Sequence, residues 1–131
     1  MTTHQFPVRI YYEDTDHGGV VYHANYLKFM ERGRSEYLRS HGVQQKQLQQ
    51  EYGILFAVTH MDIRFITPAH LDDALSVEST ITHIKGARIT FSQRIMRQDV
   101  CISEAEVHLA CIHERGKACR IPQYMLERLG E

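Results

Sequence analysis

Apolar and polar residues alternate at every second position near the start of the chain, which is the pattern of a half-buried strand. The pattern covers residues 6–13, where Val8, Ile10 and Tyr12 occupy alternate positions. The segment DTDHGGV, residues 14–20, then supplies turn-forming Asp and Gly residues. We therefore predict a first strand over residues 6–13, followed by a tight connection.

The spacing of apolar residues changes to that of a helix over residues 24–41. The residues that recur at intervals of three and four are Tyr26, Met30, Gly33 and Tyr37. A helix over this range would have about five turns and a length of about 27 Å, and Gly42 is a suitable residue to end it. Residues 43–52, which are rich in Gln, predict either a short polar helix or a lid-like connection.

Strand-like alternation returns in the second half of the chain. The predicted strands cover residues 55–66, 75–82, 89–95 and 107–111. Pro68 ends the first of these strands because proline cannot donate to a hydrogen-bonded ladder. Lys85 and Gly86 lie at a predicted hairpin turn, and a small helix over residues 122–129 begins with proline.

One long amphipathic helix after a first strand, followed by a run of antiparallel strands, predicts an α+β fold in a single domain over residues 1–131. The alternating strands have one apolar face each, which one helix can cover. A sheet of about five strands around one helix leaves an edge open. Pairing with a second copy would cover that edge, so we expect a homo-oligomer.

Charge and cysteine content limit the possible functions. Fifteen Lys and Arg against sixteen Asp and Glu give a net charge of -1, with the signs mixed along the 131 residues. Because neutralising phosphates needs a surplus of basic residues, this balance argues against nucleic-acid binding. The three cysteines form no CxxC pair and are odd in number. They therefore suggest neither a disulfide framework nor a zinc ribbon, and they favour a reducing compartment.

Apolar runs in this chain are short. The longest clear one, residues 54–58, cannot cross a bilayer, and the N-terminal segment reaches acidic residues before any apolar stretch. We therefore expect a cytoplasmic protein with no membrane span.

The residues with the strongest chemical interest lie between the first strand and the long helix. Glu13, Asp14 and Asp16 are followed by two glycines and His23. One interpretation is structural, because Asp and Gly make tight turns and acidic groups favour the positive end of a helix. The other is catalytic: a helix N-terminus can polarise a carbonyl oxygen while a carboxylate acts at the carbonyl carbon. The segment contains no serine or cysteine nucleophile.

The segment DTDHGGVVYHANYLKFMERGRSEYL closely resembles the opening motif of hotdog-fold acyl-CoA thioesterases of the 4-hydroxybenzoyl-CoA thioesterase type. Its pattern is D-x-x-G-V-V-Y-H-x-N-Y, beginning at Asp16. Within this group the chain is most similar to the branch associated with the Tol-Pal envelope system. The resemblance continues more loosely through VTHMDIRFITPAHLDD and KGARITFSQRIMR.

This resemblance implies a hotdog fold, with an antiparallel sheet wrapped around one long central helix. It also implies a dimer with a continuous sheet and active sites at the interface, and tetramers are common in the family. Asp16 matches the catalytic carboxylate, acting either as nucleophile or as general base. The backbone N–H of His23 would point at the thioester oxygen, and its imidazole is also implicated. Tyr12 and Glu13 would line the same turn.

The substrate implied is an acyl-CoA, so CoA is part of the substrate and no cofactor is expected. Lys85 and Arg88 lie in a segment that resembles the region where related thioesterases meet the CoA phosphates. They could equally be solvated turn residues. A metal site at His17 and His23 is not expected, because the two are six residues apart across a turn and no further ligand lies nearby in the sequence.

Two other functions compete with thioester hydrolysis. A non-catalytic scaffold linked to lipid metabolism could bind an acyl group or acyl carrier protein, although the presence of both Asp16 and His23 argues against an inactive site. Related hotdog proteins also hydrate or dehydrate enoyl thioesters, but with a different His-containing motif that this chain lacks.

Overall fold

The computed structural model describes residues 2–130, and helices and strands follow one another in the order that the sequence predicts. The strands are β1 (Thr3–Arg9), β2 (Ile54–Phe65), β3 (Ala74–Lys85), β4 (Arg88–Arg97) and β5 (Val100–His113). The helices are α1 (Ala24–Ser40), α2 (Gln45–Tyr52) and α3 (Gln123–Leu129), with a short 3₁₀ turn at Tyr12–Asp14.

The strands form one antiparallel sheet in the order β1-β3-β4-β5-β2. Its two edges differ. The β1 edge is seven residues long and contains Pro7, whereas the β2 edge is twelve residues long. The large apolar side chains of Val58, Phe65 and Ile66 are each about half exposed at and just beyond β2. One long edge of the sheet is therefore unpaired and partly apolar.

Helix α1 packs against one face of this sheet. The ring of Tyr37 contacts that of Phe91 on β4 edge to face, with 5.4 Å between the ring centres. Gly33 lies so close to β3 that a Cβ atom there would be 2.7 Å from Cγ1 of Val77. The small residue allows the helix to approach the strand. This arrangement confirms the α+β prediction and the hotdog architecture expected from the resemblance.

The predicted first strand, residues 6–13, was placed too late in the chain. The observed strand ends at Arg9, and a 3₁₀ turn occupies Tyr12–Asp14. The carboxylate of Asp14 accepts a hydrogen bond of 2.8 Å from the backbone N–H of Tyr11. Short acidic side chains can bond backbone N–H groups that would otherwise pair with a neighbouring strand. Residues 10–13 therefore do not form a strand, although their apolar and polar residues alternate.

The predicted strand over residues 107–111 was too short, because β5 begins at Val100. Its first half contains Ser103, Glu104 and Ala105, which give no strong apolar alternation, yet it pairs with both β4 and β2. Residues 43–52 contain a true helix, α2, which ends at Gly53 in the left-handed conformation. Within residues 2–130 no helix is long and apolar enough to cross a membrane.

Candidate active site

The loop between β1 and α1 carries the motif, and backbone pairing closes it tightly. Thr15 pairs with Val21 as an isolated antiparallel bridge. Beyond this pair, the N–H of Asp16 donates to the carbonyl of Val20 over 2.9 Å, and the N–H of Gly19 donates to the carbonyl of Asp16 over 3.1 Å. Gly19 has a φ of 78°, which favours glycine. The loop therefore presents Asp16 at a fixed position.

The carboxylate of Asp16 is exposed to solvent but is held in place. Its Oδ1 accepts a 2.8 Å hydrogen bond from the N–H of Gly18, while no group within residues 2–130 donates to Oδ2. Asp16 lines a groove of about 560 Å³, within the usual size range of small-molecule sites. The other residues that line this groove are Tyr12, Thr15, His17, Gly19 and Leu71. One carboxylate oxygen is thus available for chemistry.

The N-terminus of α1 lies on the other side of the Thr15–Val21 pair. The side-chain amide of Asn25 donates to the carbonyl of Asp14 over 2.9 Å, which ties the helix to the loop. The backbone N–H groups of His23 and Ala24 have no acceptor among the described residues. They belong to the unsatisfied donors that every helix N-terminus presents, and the helix dipole adds to their attraction for negative charge.

The imidazole of His23 is exposed and lies among aromatic rings. Its centre is 4.7 Å from that of Tyr22 and 5.7 Å from that of Phe65, at the end of β2. His23 lines a cavity of about 220 Å³ whose other lining residues are mostly apolar. They are Val21, Tyr26, Phe65, Ile66, Thr67 and Pro68.

The structure therefore brings some of the predicted residues together and separates others. Tyr12 shares the groove of Asp16, although its side chain is 82% exposed. Glu13 lines a different groove, together with Arg9 and Arg32. His23 lines a cavity separate from that of Asp16. Within one chain, Asp16 and His23 thus belong to the same connection but line two different cavities.

Lys85 and Arg88 lie at the far end of the sheet from this loop. They are paired at the turn between β3 and β4. The other end of β3, at Ala74, pairs with Arg9 immediately before the loop. Eleven residue steps along a strand correspond to roughly 36 Å. Within one chain, these two cations are therefore too far away to meet a substrate bound at Asp16.

The loop is supported from the β2–β3 connection by contacts that the sequence did not indicate. The N–H of Val21 donates to the carbonyl of Ala69 over 2.8 Å, and the N–H of Ala69 donates to the hydroxyl of buried Tyr26 over 3.0 Å. In the same connection, Arg97 donates to the carboxylate of Asp73 over 2.8 Å. The sequence segment TPAHLDD belongs to the resemblance, but nothing in its spacing marks these contacts. No group of three or more His, Cys, Asp or Glu residues within residues 2–130 could hold a metal ion.

Comparison with known proteins gives consistent matches. The thioesterase superfamily matches residues 18–101. The acyl-CoA thioesterase YbgC of Haemophilus influenzae is 50% identical over 107 residues, which cover 82% of this chain and 79% of that protein. A probable thioesterase from Bartonella henselae is 42% identical, with a TM-score of 0.89, and the alignment covers 92% of this chain and 100% of that one.

A more distant structure shows the fold alone. A 4-hydroxybenzoyl-CoA thioesterase variant in complex with 4-hydroxybenzoyl-CoA has a TM-score of 0.91 at 19% identity, over 97% of this chain and 98% of that one. The similarity to YbgC confirms the branch predicted from the motif. The chain belongs to the thioesterase superfamily and has the hotdog fold of that family.

Proposed function

We propose that this protein hydrolyses acyl-CoA thioesters, using the carboxylate of Asp16 and the N-terminus of α1. The observation that carries the proposal is that an accessible carboxylate and unsatisfied helix donors lie in one short connection, on the two sides of the Thr15–Val21 pair. The relatives named as acyl-CoA thioesterases support the substrate class. Free thiols and a CoA-linked substrate also fit a cytoplasmic location.

In the proposed mechanism, the Asp16 carboxylate and the N-terminus of α1 have separate roles. The N–H groups of His23 and Ala24 donate hydrogen bonds to the thioester oxygen and so stabilise the negative charge that develops on it. Asp16 then either attacks the carbonyl carbon, giving a mixed anhydride, or removes a proton from the attacking water. In both routes the C–S bond breaks and the CoA thiolate leaves. In the first route water then cleaves the mixed anhydride, which releases the free acid and restores the Asp16 carboxylate. A thiolate leaves readily, so one carboxylate and one helix terminus suffice without a catalytic triad.

We further propose that two copies pair through their β2 edges. This would cover the long unpaired edge with its exposed Val58, Phe65 and Ile66. Phe65 contacts the ring of His23, so the edge reaches the candidate site. Antiparallel pairing about a two-fold axis would also bring the Lys85 end of one copy towards the Asp16 end of the other. The distance of Lys85 and Arg88 from the loop in one chain is then compatible with a role in binding CoA phosphates.

Release of free thiol from several acyl-CoAs tests this proposal directly. Asp16→Asn keeps the shape of the side chain but removes its charge, so the rate should fall at least about a hundredfold. Glu127→Gln is the matched control, because Glu127 is an exposed carboxylate on α3 that lines neither cavity of the candidate site. Its rate should stay close to that of the unmodified protein.

Near-normal turnover of a folded Asp16→Asn variant would overturn the assigned role and make Glu13 or Asp14 the candidate. A protein that binds acyl-CoA or acyl carrier protein but releases no thiol from either carrier would instead be a scaffold. Single turnover in ¹⁸O-labelled water tests the nucleophilic route, because label in the Asp16 carboxylate shows that a mixed anhydride formed and that water attacked the Asp16 carbonyl.

The contribution of His23 is tested separately. If its backbone N–H is the essential group, His23→Ala should lose less activity than Asp16→Asn, because the substitution retains the backbone. An equal and complete loss in both variants would assign an essential role to the imidazole.

A further inference from the structure

Two thiols lie side by side at the end of the sheet opposite the Asp16 loop. The Sγ atoms of Cys111 and Cys119 are 3.4 Å apart. The backbone also joins the two residues, because the N–H of Cys119 donates to the carbonyl of Cys111 over 2.9 Å. Cys111 is fully buried on β5, whereas Cys119 is partly exposed. Neither residue belongs to the candidate active site.

The segment that carries Cys119 folds back along β5. Ala118 pairs with Ile112 as an isolated antiparallel bridge, so the two cysteines occupy neighbouring positions on adjacent backbones. Beyond Cys119, the N–H of Ile121 donates to the carbonyl of Gly86 over 2.9 Å. Helix α3 follows and buries Met125 and other apolar side chains against the core. The position of Cys119 is therefore fixed from both sides along the chain.

We propose that Cys111 and Cys119 form a reversible disulfide within one chain when the folded protein meets a low-molecular-weight disulfide. A disulfide bond is about 2.05 Å long, so the sulfur atoms need to approach by little more than 1 Å. The inference rests on the contact between the two thiols and does not depend on the proposed thioesterase mechanism.

The difference in exposure between Cys119 and Cys111 determines which thiol reacts first. The thiolate of Cys119 attacks the incoming disulfide, forms a mixed disulfide and releases the first small thiolate. Cys111 then loses its proton, attacks the sulfur of Cys119 and displaces the second. The two protein thiols together lose two protons and two electrons, and the small disulfide is reduced to two thiols.

The environment of Cys111 makes its attack on the sulfur of Cys119 the slower of the two steps. Burial, together with the neighbouring Cys119 thiol, raises the pKa of Cys111 to about 12. Burial, the larger cause, remains after Cys119 has formed the mixed disulfide, so only a small fraction of Cys111 is ionised at neutral pH, and the thiolate is the reactive form. The rate of closure should consequently rise as the pH is raised from neutral to mildly alkaline.

The bond would close a loop over residues 112–118 and attach the segment leading to α3 covalently to β5. Such a crosslink reduces the freedom of the unfolded chain. The oxidised protein should therefore unfold at a higher temperature than the reduced protein. For a chain of this size the rise should be roughly 5 °C or more.

The test uses the full chain, first reduced and then incubated with glutathione disulfide at neutral and mildly alkaline pH. After acid quenching, the mass should be lower than that of the reduced protein by two hydrogen atoms. Alkylation under denaturing conditions should then add one alkyl group, at Cys101, where the reduced protein takes up three. Peptide mapping should join Cys111 to Cys119, and dithiothreitol should reverse both the bond and the rise in Tm. Cys101→Ala is the control and should behave like the unmodified protein.

Two variants keep the test decisive. Cys111→Ala should stop the reaction at a glutathione adduct on Cys119, and Cys119→Ala should leave buried Cys111 unmodified in the folded protein. The proposal is overturned if both cysteines of the unmodified protein remain open to alkylation after mildly alkaline treatment. A bond that involves Cys101 or joins two chains would overturn it equally. None of these results bears on thiol release from acyl-CoA, so the two proposals fail independently.

Discussion

The hydroxyl of Tyr26 accepts a hydrogen bond of 3.0 Å from the backbone N–H of Ala69. Tyr26 is in the first turn of α1, and Ala69 is in the connection between β2 and β3, forty-three residues later. Both residues are buried, and burial raises the pKa of the Tyr26 phenol. The bond fixes the helix N-terminus against the connection that lies beside the candidate site.

Tyr26→Phe should therefore destabilise the protein. The variant keeps the ring but leaves the buried N–H of Ala69 without a partner, which costs about 1–2 kcal/mol. Urea denaturation measures this loss. Tyr22→Phe is the control, because Tyr22 is 49% exposed and its hydroxyl makes no hydrogen bond within residues 2–130. Equal stability of the two variants would show that the Tyr26–Ala69 bond contributes nothing.

Gly33→Ala should destabilise the protein although alanine is the better helix former. The added Cβ would lie 2.7 Å from Cγ1 of Val77 and 3.1 Å from Oγ of Ser79. Overpacking of this kind costs about 1–3 kcal/mol, against a gain of up to about 1 kcal/mol in helix propensity. Thermal unfolding should show a lower Tm than for Lys28→Ala on the exposed side of α1. A higher Tm for Gly33→Ala would contradict the close packing.

Asp73 should stabilise the protein at neutral pH and lose this effect in acid. Burial acts to raise the pKa of its carboxyl, but the N–H of His70 and the guanidinium of Arg97 outweigh it, so the pKa is lowered. A lowered folded-state pKa stabilises the protein above the unfolded-state value of about 3.9, and this contribution disappears as pH falls through the folded-state value.

Asp73→Asn measures that contribution. The variant should be less stable than the unmodified protein by about 1 kcal/mol at pH 7. The difference should shrink progressively as the pH is lowered below about 4. Denaturation curves at several pH values provide the measurement. A difference that stays constant across this range would mean that the carboxyl's ionisation is not involved.

Neutralising Lys85 and Arg88 together should raise KM for acyl-CoA and leave kcat nearly unchanged. A contact with a distant phosphate is made equally in the ground and transition states, so it affects binding alone. The increase in KM should be smaller at high salt, where exposed charges are already screened. The control is Lys117→Ala with Arg115→Ala, which changes the charge equally. An unchanged KM at low salt would exclude Lys85 and Arg88 and favour a substrate delivered on a carrier protein.

Local patterns were sufficient to predict most of this fold. The apolar stripe of α1, from Tyr26 to Tyr37, is continuous in sequence and faces one sheet, so its periodicity gives the helix almost to the residue. The end of β1 was missed because alternation at Ile10 and Tyr12 looks like strand, whereas the Asp14 side chain closes a turn. A side-chain hydrogen bond that spans three residues does not alter the hydropathy pattern of the sequence.

The candidate site was predictable as a motif but not as a geometry. The sequence places Asp16 and His23 seven residues apart, and only the Thr15–Val21 pair shows that Asp16 lies within a closed loop and His23 outside it. The Tyr26–Ala69 contact depends on how the chain returns after β2, so no local pattern contains it. The Cys111–Cys119 contact likewise needs the turn after β5.

The unequal edges of the sheet would limit an assembly that grows by strand pairing. If two copies join through β2, the combined sheet has ten strands and ends on both sides in β1. That strand is short and contains Pro7, which has no backbone N–H to offer an incoming strand. A third copy would therefore pair poorly with the β1 strand at either end of the sheet. Edge pairing then produces a closed particle of two chains, and the sheet is protected against open-ended, fibre-like growth.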